Sequence, residues 1–563
     1  MKFKIQTHIK SIYNLLLITS LGLVAMPALA QLDDDVVITK DRKVELPPAN
    51  RVFEKIPALK PTSEEKTMRY TFFDRKPKGV EEVKFNPNVV APEGTKNNEE
   101  LETYNNYATL GAGNYGRLLG EVFLNSNQEN NLIIGVHAYH NSTARGPVDD
   151  KNSSNMYSKA EITGKYLAEK FQLNAGLNYN RDQYYFYGYQ RPREDLDRKD
   201  IRQVLNTVQF NVGFENTAPN ARVDYGIKTY IRSLKNIYEA QETDWGSSFR
   251  AYFPIITEKF VAGVDAEAYV TQRTDDVVDK RNLFRVTPTF KLNFRNFGAN
   301  IGFKAVNEFD EVKKINRTMG FPMVELIYKH KGMLFFYAGL DGDIIRNTLG
   351  SMLNENPYLK SRVSLLNTEK NKEIYIGTKG DLSKGLSYNL RAATGNYKNL
   401  YFFNNYSPDF GDALGDTAKF NILYETESTR YYNVTLQLNY QLAEVWRTNL
   451  KVDYNNYETK AYEKPFHRPA IITKWGNSFF VTDKFLANLD LYYFGKTFAK
   501  NPTTDAIVTN QEIVDVNTEF DYLFSKQFTA FVKLNNLLGR KYERFLYYPQ
   551  QGLNFLVGVN FSF

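Results

Sequence analysis

Cysteine is absent from this chain of 563 residues, and histidine is scarce, with five residues. Without cysteine, a disulfide framework and a lipid-anchored amino terminus are both excluded. After the amino terminus the chain also has no long apolar run, and its mean hydropathy is −0.48. A bundle of membrane-spanning helices, each needing about 20 mostly apolar residues, is therefore excluded as well.

Aromatic residues are abundant, with 39 tyrosines and 40 phenylalanines. Two belts of aromatic side chains flank the apolar band of a transmembrane β-barrel, and this composition suits them. The net charge of +7 is spread over the whole chain and mixed with acidic residues. Such a diluted charge does not favour a nucleic-acid partner.

The amino terminus has the pattern of a secretory signal peptide. Basic residues in the first ten positions precede an apolar stretch from Ile12 to Met26 and a small-residue site at Ala28–Ala30. The alternative, an amino-terminal membrane anchor, would need a longer unbroken apolar run. We predict cleavage near Ala30 and export to the outer membrane of a Gram-negative bacterium.

The carboxyl-terminal residues alternate between apolar and polar side chains. The alternation runs from Val514 to Phe524, stops at the turn Ser525–Gln527, and returns from Leu553 to Phe563. Alternation places the apolar residues on one face of a strand and the polar residues on the other. Strands of this kind span a membrane only in a closed barrel, where no edge is left unpaired in lipid.

The same pattern extends over residues 104–563, whereas residues 31–103 are rich in proline and charge and have no sustained periodicity. We predict an extended periplasmic or luminal segment over 31–103 and an all-β, antiparallel transmembrane barrel over 104–563. Ten short turns alternate with eleven other connections, which gives 21 connections and about 22 strands. The turns are expected at 125–131, 169–170, 217–220, 257–259, 295–296, 330–332, 383–385, 443–444, 482–484 and 525–527.

The polar face of the interior strands is rich in Asn, Gln and Thr, as in the strands from Phe171 to Asn180 and from Tyr432 to Tyr440. A wall of this composition is wet, so we expect a lumen filled by water or by a polar plug.

The run from Asp515 to Phe563 resembles the last three strands of TonB-dependent outer-membrane receptors. The resemblance depends on the order Asn535-Asn536-Leu537, Lys541-Tyr542-Glu543, Gly552 and a terminal Phe563. The aromatic-rich and Asn-rich style is similar to that of barrels from Bacteroidota. This resemblance implies a 22-stranded barrel that imports a small ligand, with energy from the periplasmic protein TonB.

One departure from the family concerns the plug domain, which is missing or much reduced, because only residues 31–103 precede the barrel. Within that segment Asp35, Val36, Val37, Ile38 and Thr39 resemble a TonB box, a short β-prone segment that adds a strand to the partner's sheet.

A candidate ligand-binding rim lies in one long connection. Aromatic residues at Tyr184, Tyr185, Tyr187 and Tyr189 lead into Arg191 and Arg193. Rings and cations of this kind bind sugars or planar chelates, but they are also ordinary interfacial residues.

Other motifs lack the neighbouring residues or elements that their usual function requires. Gly111–Gly116 matches a dinucleotide fingerprint without the helix that it needs, so we expect a tight hairpin there. Asp341-Gly342-Asp343 lacks the downstream ligands of a calcium loop, and a strand-to-loop transition is expected instead. His137 and His140 are expected on opposite faces of one strand. We therefore predict no metal site, no cofactor and no enzymatic activity.

Three functions remain open. The first is ligand import as a TonB-dependent receptor. The second is a structural subunit of an outer-membrane assembly whose partner protein fills the lumen, and the third is a passive diffusion channel. A barrel of this width must be filled by residues 31–103, by infolded outer loops or by another subunit if the permeability barrier is to hold.

Overall fold

The computed structural model describes residues 106–126, 131–189, 197–218, 221–256, 259–275, 278–330, 334–383, 385–405, 418–442, 445–502 and 504–563. The predicted signal peptide 1–30 and the predicted extended segment 31–103, with Asp35–Thr39, lie outside these residues. Their structures therefore stay predictions.

A closed antiparallel sheet of 22 strands forms the body of the protein. Each strand pairs with its neighbour along the barrel, and the first strand pairs with both the second and the last, so the sheet has no free edge. The predicted strand number and all-β fold are confirmed.

The first half of the barrel contains strands β1 (Tyr107–Gly113), β2 (Arg117–Asn125), β3 (Leu132–Thr143), β4 (Asn155–Leu167), β5 (Phe171–Tyr185), β6 (Arg202–Asn216), β7 (Asp224–Asn236), β8 (Gln241–Ile256), β9 (Phe260–Thr274), β10 (Val278–Phe294) and β11 (Phe297–Asp310).

The second half contains β12 (Ile315–His330), β13 (Leu334–Ile345), β14 (Thr368–Ser383), β15 (Leu386–Lys398), β18 (Thr429–Leu442), β19 (Trp446–Glu458), β20 (Ile471–Thr482), β21 (Phe485–Phe494), β24 (Ile513–Leu523), β25 (Phe528–Asn535) and β26 (Asn554–Ser562). Two hairpins lie outside the barrel sheet, β16 (Leu400–Asn404) with β17 (Asn421–Glu425) and β22 (Thr497–Lys500) with β23 (Ile507–Asn510). The helix α1 spans Leu349–Glu355.

The two ends of the barrel differ in their connections. All ten predicted short turns lie between consecutive barrel strands at one end, which we call the turn end. The opposite end, which we call the loop end, carries the long connections, including α1 and both hairpins. Among the described residues, no helix combines the length and the apolar character needed to cross a membrane.

Side chains alternate between the outside and the lumen, as predicted. In β26 the outward Phe555, Val557, Val559 and Phe561 are 38–50% exposed, whereas Leu556 between them is buried. In β5 Leu173 and Leu177 are exposed in the same way. An outward face of this kind is stable only against lipid, because large apolar patches in water are costly.

The first hairpin confirms the prediction for Gly111–Gly116. Residues Asn114–Gly116 form one turn between β1 and β2, with positive φ at Tyr115 and at Gly116. Glycine also has a packing role at the seam, because a Cβ atom on Gly113 would lie 1.9 Å from the carbonyl oxygen of Phe555. The seam between β1 and β26 therefore requires close approach of the two backbones.

The lumen wall differs from the predicted amide-rich surface along β8 to β15, where buried ion pairs cover it. Lys304 Nζ lies 2.7 Å from Asp341 and 3.4 Å from Asp343. Arg285 lies 2.7 Å from Asp343, and Lys370 lies 2.9 Å from Asp341. The prediction of a strand-to-loop transition at Asp341–Asp343 is wrong, because both residues lie inside β13 at a bulge opposite β14. The bulge keeps both carboxylates close to the buried cations.

Candidate functional site

Among the described residues, the largest apolar core lies at the loop end, and we call it the loop cap. Its residues come from connections that are far apart in the sequence, and nearly all of them are fully buried. This core corrects the expectation that water or a polar plug fills the lumen, because infolded loops, one of the three fillers considered, occupy the loop end with rings and aliphatic side chains. The loop cap contains Phe186, Tyr187, Tyr189, Leu349, Met352, Leu353, Tyr358, Leu359, Tyr401, Phe403, Phe420, Phe545 and Tyr548.

The positions of these connections around the barrel show that the loop cap reaches over the opening. Tyr187 follows β5, Tyr358 follows β13, and Tyr548 lies between β25 and β26. In the order of the closed sheet, the three connections are separated by roughly a third of the circumference. Their side chains can meet only if the loops extend inward from the wall. The loop cap therefore spans the loop end of the lumen.

Tyrosine rings hold the centre of the loop cap. The rings of Tyr358 and Tyr548 stack with centroids 3.5 Å apart, and the hydroxyl oxygens of Tyr187 and Tyr358 are 3.1 Å apart. Tyr184 donates a hydrogen bond to the Pro357 carbonyl at 2.6 Å. Burial raises the pKa of Tyr358 and of Tyr548 well above the ordinary value, so both phenols stay protonated.

The predicted ligand rim coincides with part of this core. Tyr185, Tyr187 and Tyr189 are 2%, 6% and 3% exposed, and Tyr184 packs against the same cluster. Their rings thus contact protein on most sides. Arg191 and Arg193 lie outside the described residues. A role of these six residues in ligand binding stays a prediction.

Helix α1 attaches the loop cap to the lumen wall. The Glu242 carboxylate on β8 accepts hydrogen bonds from the backbone N–H groups of Leu349 at 2.6 Å and Gly350 at 3.0 Å. Thr348 caps the same helix end through Ser351. Carboxylates are stabilising at this end of a helix, because its N–H groups have no partner within the helix.

Arginines complete the attachment. Arg346, which follows β13, pairs with Asp244 on β8 and donates a hydrogen bond to Thr271 on β9 at 2.9 Å. Arg281 on β10 donates to the Asn347 carbonyl at 2.7 Å. The connection between β13 and β14 is thereby bound to three consecutive wall strands.

A buried ion pair lies in the loop cap itself. Arg468 Nη1 is 3.2 Å from Glu355 Oε1, and Arg468 Nη2 donates to the Tyr401 carbonyl at 3.0 Å. The Tyr401 hydroxyl donates to the other oxygen of Glu355. Although burial alone would lower the pKa of Arg468, the carboxylate of Glu355 holds this pKa above its ordinary value. The pair connects α1 with the hairpin β16–β17 and with the connection after β19.

His467 joins three connections through both ring nitrogens. Its Nδ1 lies 2.7 Å from the Phe403 carbonyl oxygen, and its Nε2 accepts from the Leu546 N–H at 3.3 Å. This pattern requires the neutral ring with the proton on Nδ1. Burial, assisted by the nearby Arg544 guanidinium, lowers the pKa of His467 to about 3. The residue has a positive φ of 56°.

Sequence reasoning did not find Glu355, His467 or Arg468. Each lies in a connection without periodicity, and their partners are distant in the sequence. Among the described residues, no group of three His, Asp or Glu side chains could hold a metal ion. The site therefore has the properties of a packed closure that ion pairs and hydrogen bonds attach to the barrel.

Comparisons with known proteins identify the fold. No family model matches the sequence, and no curated protein is significantly similar to it. Solved structures of outer-membrane receptors and transporters do match. The siderophore receptor PiuA from Acinetobacter baumannii aligns over 81% of this chain and 82% of its own, with 10% identity and a TM-score of 0.62.

The FrpB iron transporter from Neisseria meningitidis aligns over 82% of both chains, with 8% identity and a TM-score of 0.63. The ferripyoverdine receptor of the outer membrane of Pseudomonas aeruginosa aligns over 82% of this chain and 72% of its own, with 14% identity and a TM-score of 0.58. At these identities the likeness shows the fold. The chain therefore has the barrel fold that these siderophore and iron receptors share.

Proposed function

We propose that this protein is an outer-membrane receptor that imports a small ligand through its barrel. The observation that carries the proposal is the closed barrel of 22 strands, whose fold matches receptors for siderophores and iron over most of the chain. Barrels of this strand number have a lumen wide enough for such ligands and are kept closed at rest. Import then requires that the closure open only when a ligand is bound.

The loop cap supports a receptor more than a passive channel. Its rings and ion pairs span the loop end and are bonded to β8, β9 and β10. An open diffusion pore would need a water-filled path through this core. We expect the purified protein to be silent in planar bilayers, whereas a large constant conductance would favour the passive channel.

Energy for import would come through Asp35–Thr39, which we assign to a TonB-type partner. A β-prone segment binds by adding a strand to the edge of the partner's sheet, so the backbone supplies most of the contacts. In cells, deletion of residues 35–39 should abolish uptake of a ferric siderophore that the intact chain imports. Deletion of 41–45 in the same segment is the matched control. Equal uptake by the two deletions would exclude the energised mechanism.

A structural subunit is the second candidate function, favoured by the burial of the predicted rim. Tyr185, Tyr187 and Tyr189 contact other residues of this chain and leave little ring surface for a ligand. Crosslinking in intact cells tests this alternative. A protein partner recovered in stoichiometric amount, together with no uptake of any tested metal chelate, would favour the subunit over the receptor.

A further inference from the structure

Charged residues are distributed unevenly over the outward face of the barrel. At outward positions of the 22 strands, all the charged side chains lie near the loop end, and none lies near the turn end. Seven are basic and one is acidic. They are Arg181, Arg202, Lys235, Lys280, Lys372, Lys398, Arg430 and Glu458.

Two sets of these cations form rows across three neighbouring strands. In the first row Arg181 on β5 is opposite Asn206 on β6, which is opposite Lys235 on β7. Adjacent strands are about 4.8 Å apart, so the two cations lie on the order of 10 Å apart with an amide between them.

The second row repeats the arrangement on the other side of the barrel. Lys372 on β14 is opposite Asn396 on β15, which is opposite Arg430 on β18. All three side chains are exposed. Glu458 on β19 is the next residue in this row, opposite Arg430, but no ion pair forms between them among the described residues. We call these two sets the basic rows.

Most cations of the basic rows have no protein partner within the described residues. The side chains of Lys235, Lys372 and Arg430 make no ion pair and no hydrogen bond there, whereas Arg181 makes one long hydrogen bond, at 3.5 Å, to Asn206. In contrast, the cations of the lumen wall such as Lys304 and Arg285 are paired with carboxylates. Outward cations placed beside the apolar band are costly near the membrane centre but tolerated at the interface.

From this distribution we propose that the basic rows bind phosphate groups of an anionic glycolipid in the leaflet at the loop end. Each row offers two cations and one amide N–H₂ group, which are donors suited to phosphate oxygens. Tyr179 and Tyr432 lie two residues closer to the barrel middle on the same outward faces, where rings border the acyl chains. Long-loop ends of such barrels face the cell exterior, so the lipid is that of the outer leaflet. The inference depends on membrane insertion and not on ligand import.

The test measures binding of bisphosphorylated lipid A to the purified full-length protein in detergent by native mass spectrometry. The test variant combines Arg181→Gln, Lys235→Gln, Lys372→Gln and Arg430→Gln. The control combines Lys170→Gln, Arg222→Gln, Lys259→Gln and Lys484→Gln, which remove the same charge from exposed positions at the turn end.

We expect the test variant to bind the lipid at least about tenfold more weakly than the wild type, because it lacks the four cations that attract the phosphate groups. The control variant should bind as the wild type does. A heat-modified gel shift in both variants shows that both are folded.

Two further arms identify the ligand. Dephosphorylated lipid A should bind the wild type and the test variant equally weakly. Inorganic phosphate at millimolar concentration should not compete, because a free ion lacks the acyl chains that keep the phosphate at the interface. Equal binding of lipid A by the test and control variants would overturn the proposal. Competition by free phosphate would instead assign the rows to soluble anions and would also overturn it.

Discussion

Replacement of Arg468 by methionine should open the loop cap without unfolding the barrel. The Arg468 side chain is 3% exposed and is the cation in contact with the Glu355 side chain, which is 6% exposed. Methionine fills much of the same volume but leaves the buried carboxylate without the cation that contacts it. Removing one partner of a buried ion pair costs about 3–5 kcal/mol.

This cost falls on the loop cap, because both residues lie in loop-end connections and not in the barrel strands. A change of that size raises the population of the opened cap by roughly two to four powers of ten. Amide hydrogen exchange should therefore accelerate in α1 and in β16–β17, and exchange in wall strands such as β9 should stay unchanged. Bilayer conductance should rise in parallel, because the opened cap admits water to the lumen.

Two comparisons make the result specific. Arg540→Met removes an exposed arginine of the loop end and should leave exchange in the loop cap unchanged. Adding Glu355→Gln to Arg468→Met removes the uncompensated charge while keeping an acceptor for the Tyr401 hydroxyl, and it should restore slow exchange in large part. Exchange in α1 that is as slow in Arg468→Met as in the wild type would refute the energetic role of this pair.

Three further outcomes follow from the structure. Gly113→Val should prevent closure of the seam between β1 and β26 and abolish the heat-modified gel shift, whereas Gly164→Val should not, because nothing lies within 4 Å of its Cβ position. Because the pKa of His467 is lowered from 6.5 to about 3, the neutral ring contributes its full stabilisation of the loop cap above pH 6.5. This contribution is lost as the pH falls toward 3, and the loss is about 2 kcal/mol at pH 5. Hydrogen exchange measured against pH should show this loss, and His467→Asn, which suits a positive φ, should flatten it. Gly188→Val would place its Cβ 2.4 Å from the ring of Tyr548 and should make the loop cap sensitive to added protease, and equal resistance would contradict the close packing of these loops.

The strands and turns were predictable from local patterns. Alternation from Val514 to Phe524 and from Leu553 to Phe563 fixes which side chains face lipid, because a strand turns successive residues to opposite faces. Turn residues such as Arg295 and Asn296 mark where one strand ends and the next begins. Counting these connections was enough to predict 22 strands, since membrane strands must be closed into a barrel.

The interior was not predictable in this way. Amide-rich strands such as those from Phe171 to Asn180 and from Tyr432 to Tyr440 suggested a wet wall, but only the pairing register brings Lys304, Asp341 and Lys370 into contact. Loops have no period, so nothing in the sequence around Glu355 or Arg468 indicated that the two would meet.

The sequence by itself determined the barrel, its strand number and its two unlike ends, because those follow from repeats that extend over neighbouring residues. Only the tertiary structure decided that the loops fold inward and that Tyr187, Tyr358 and Tyr548 meet over the lumen. The physical reason is that curvature of the closed sheet brings distant connections to one opening. Burial of their rings then depends on contacts that no single segment encodes.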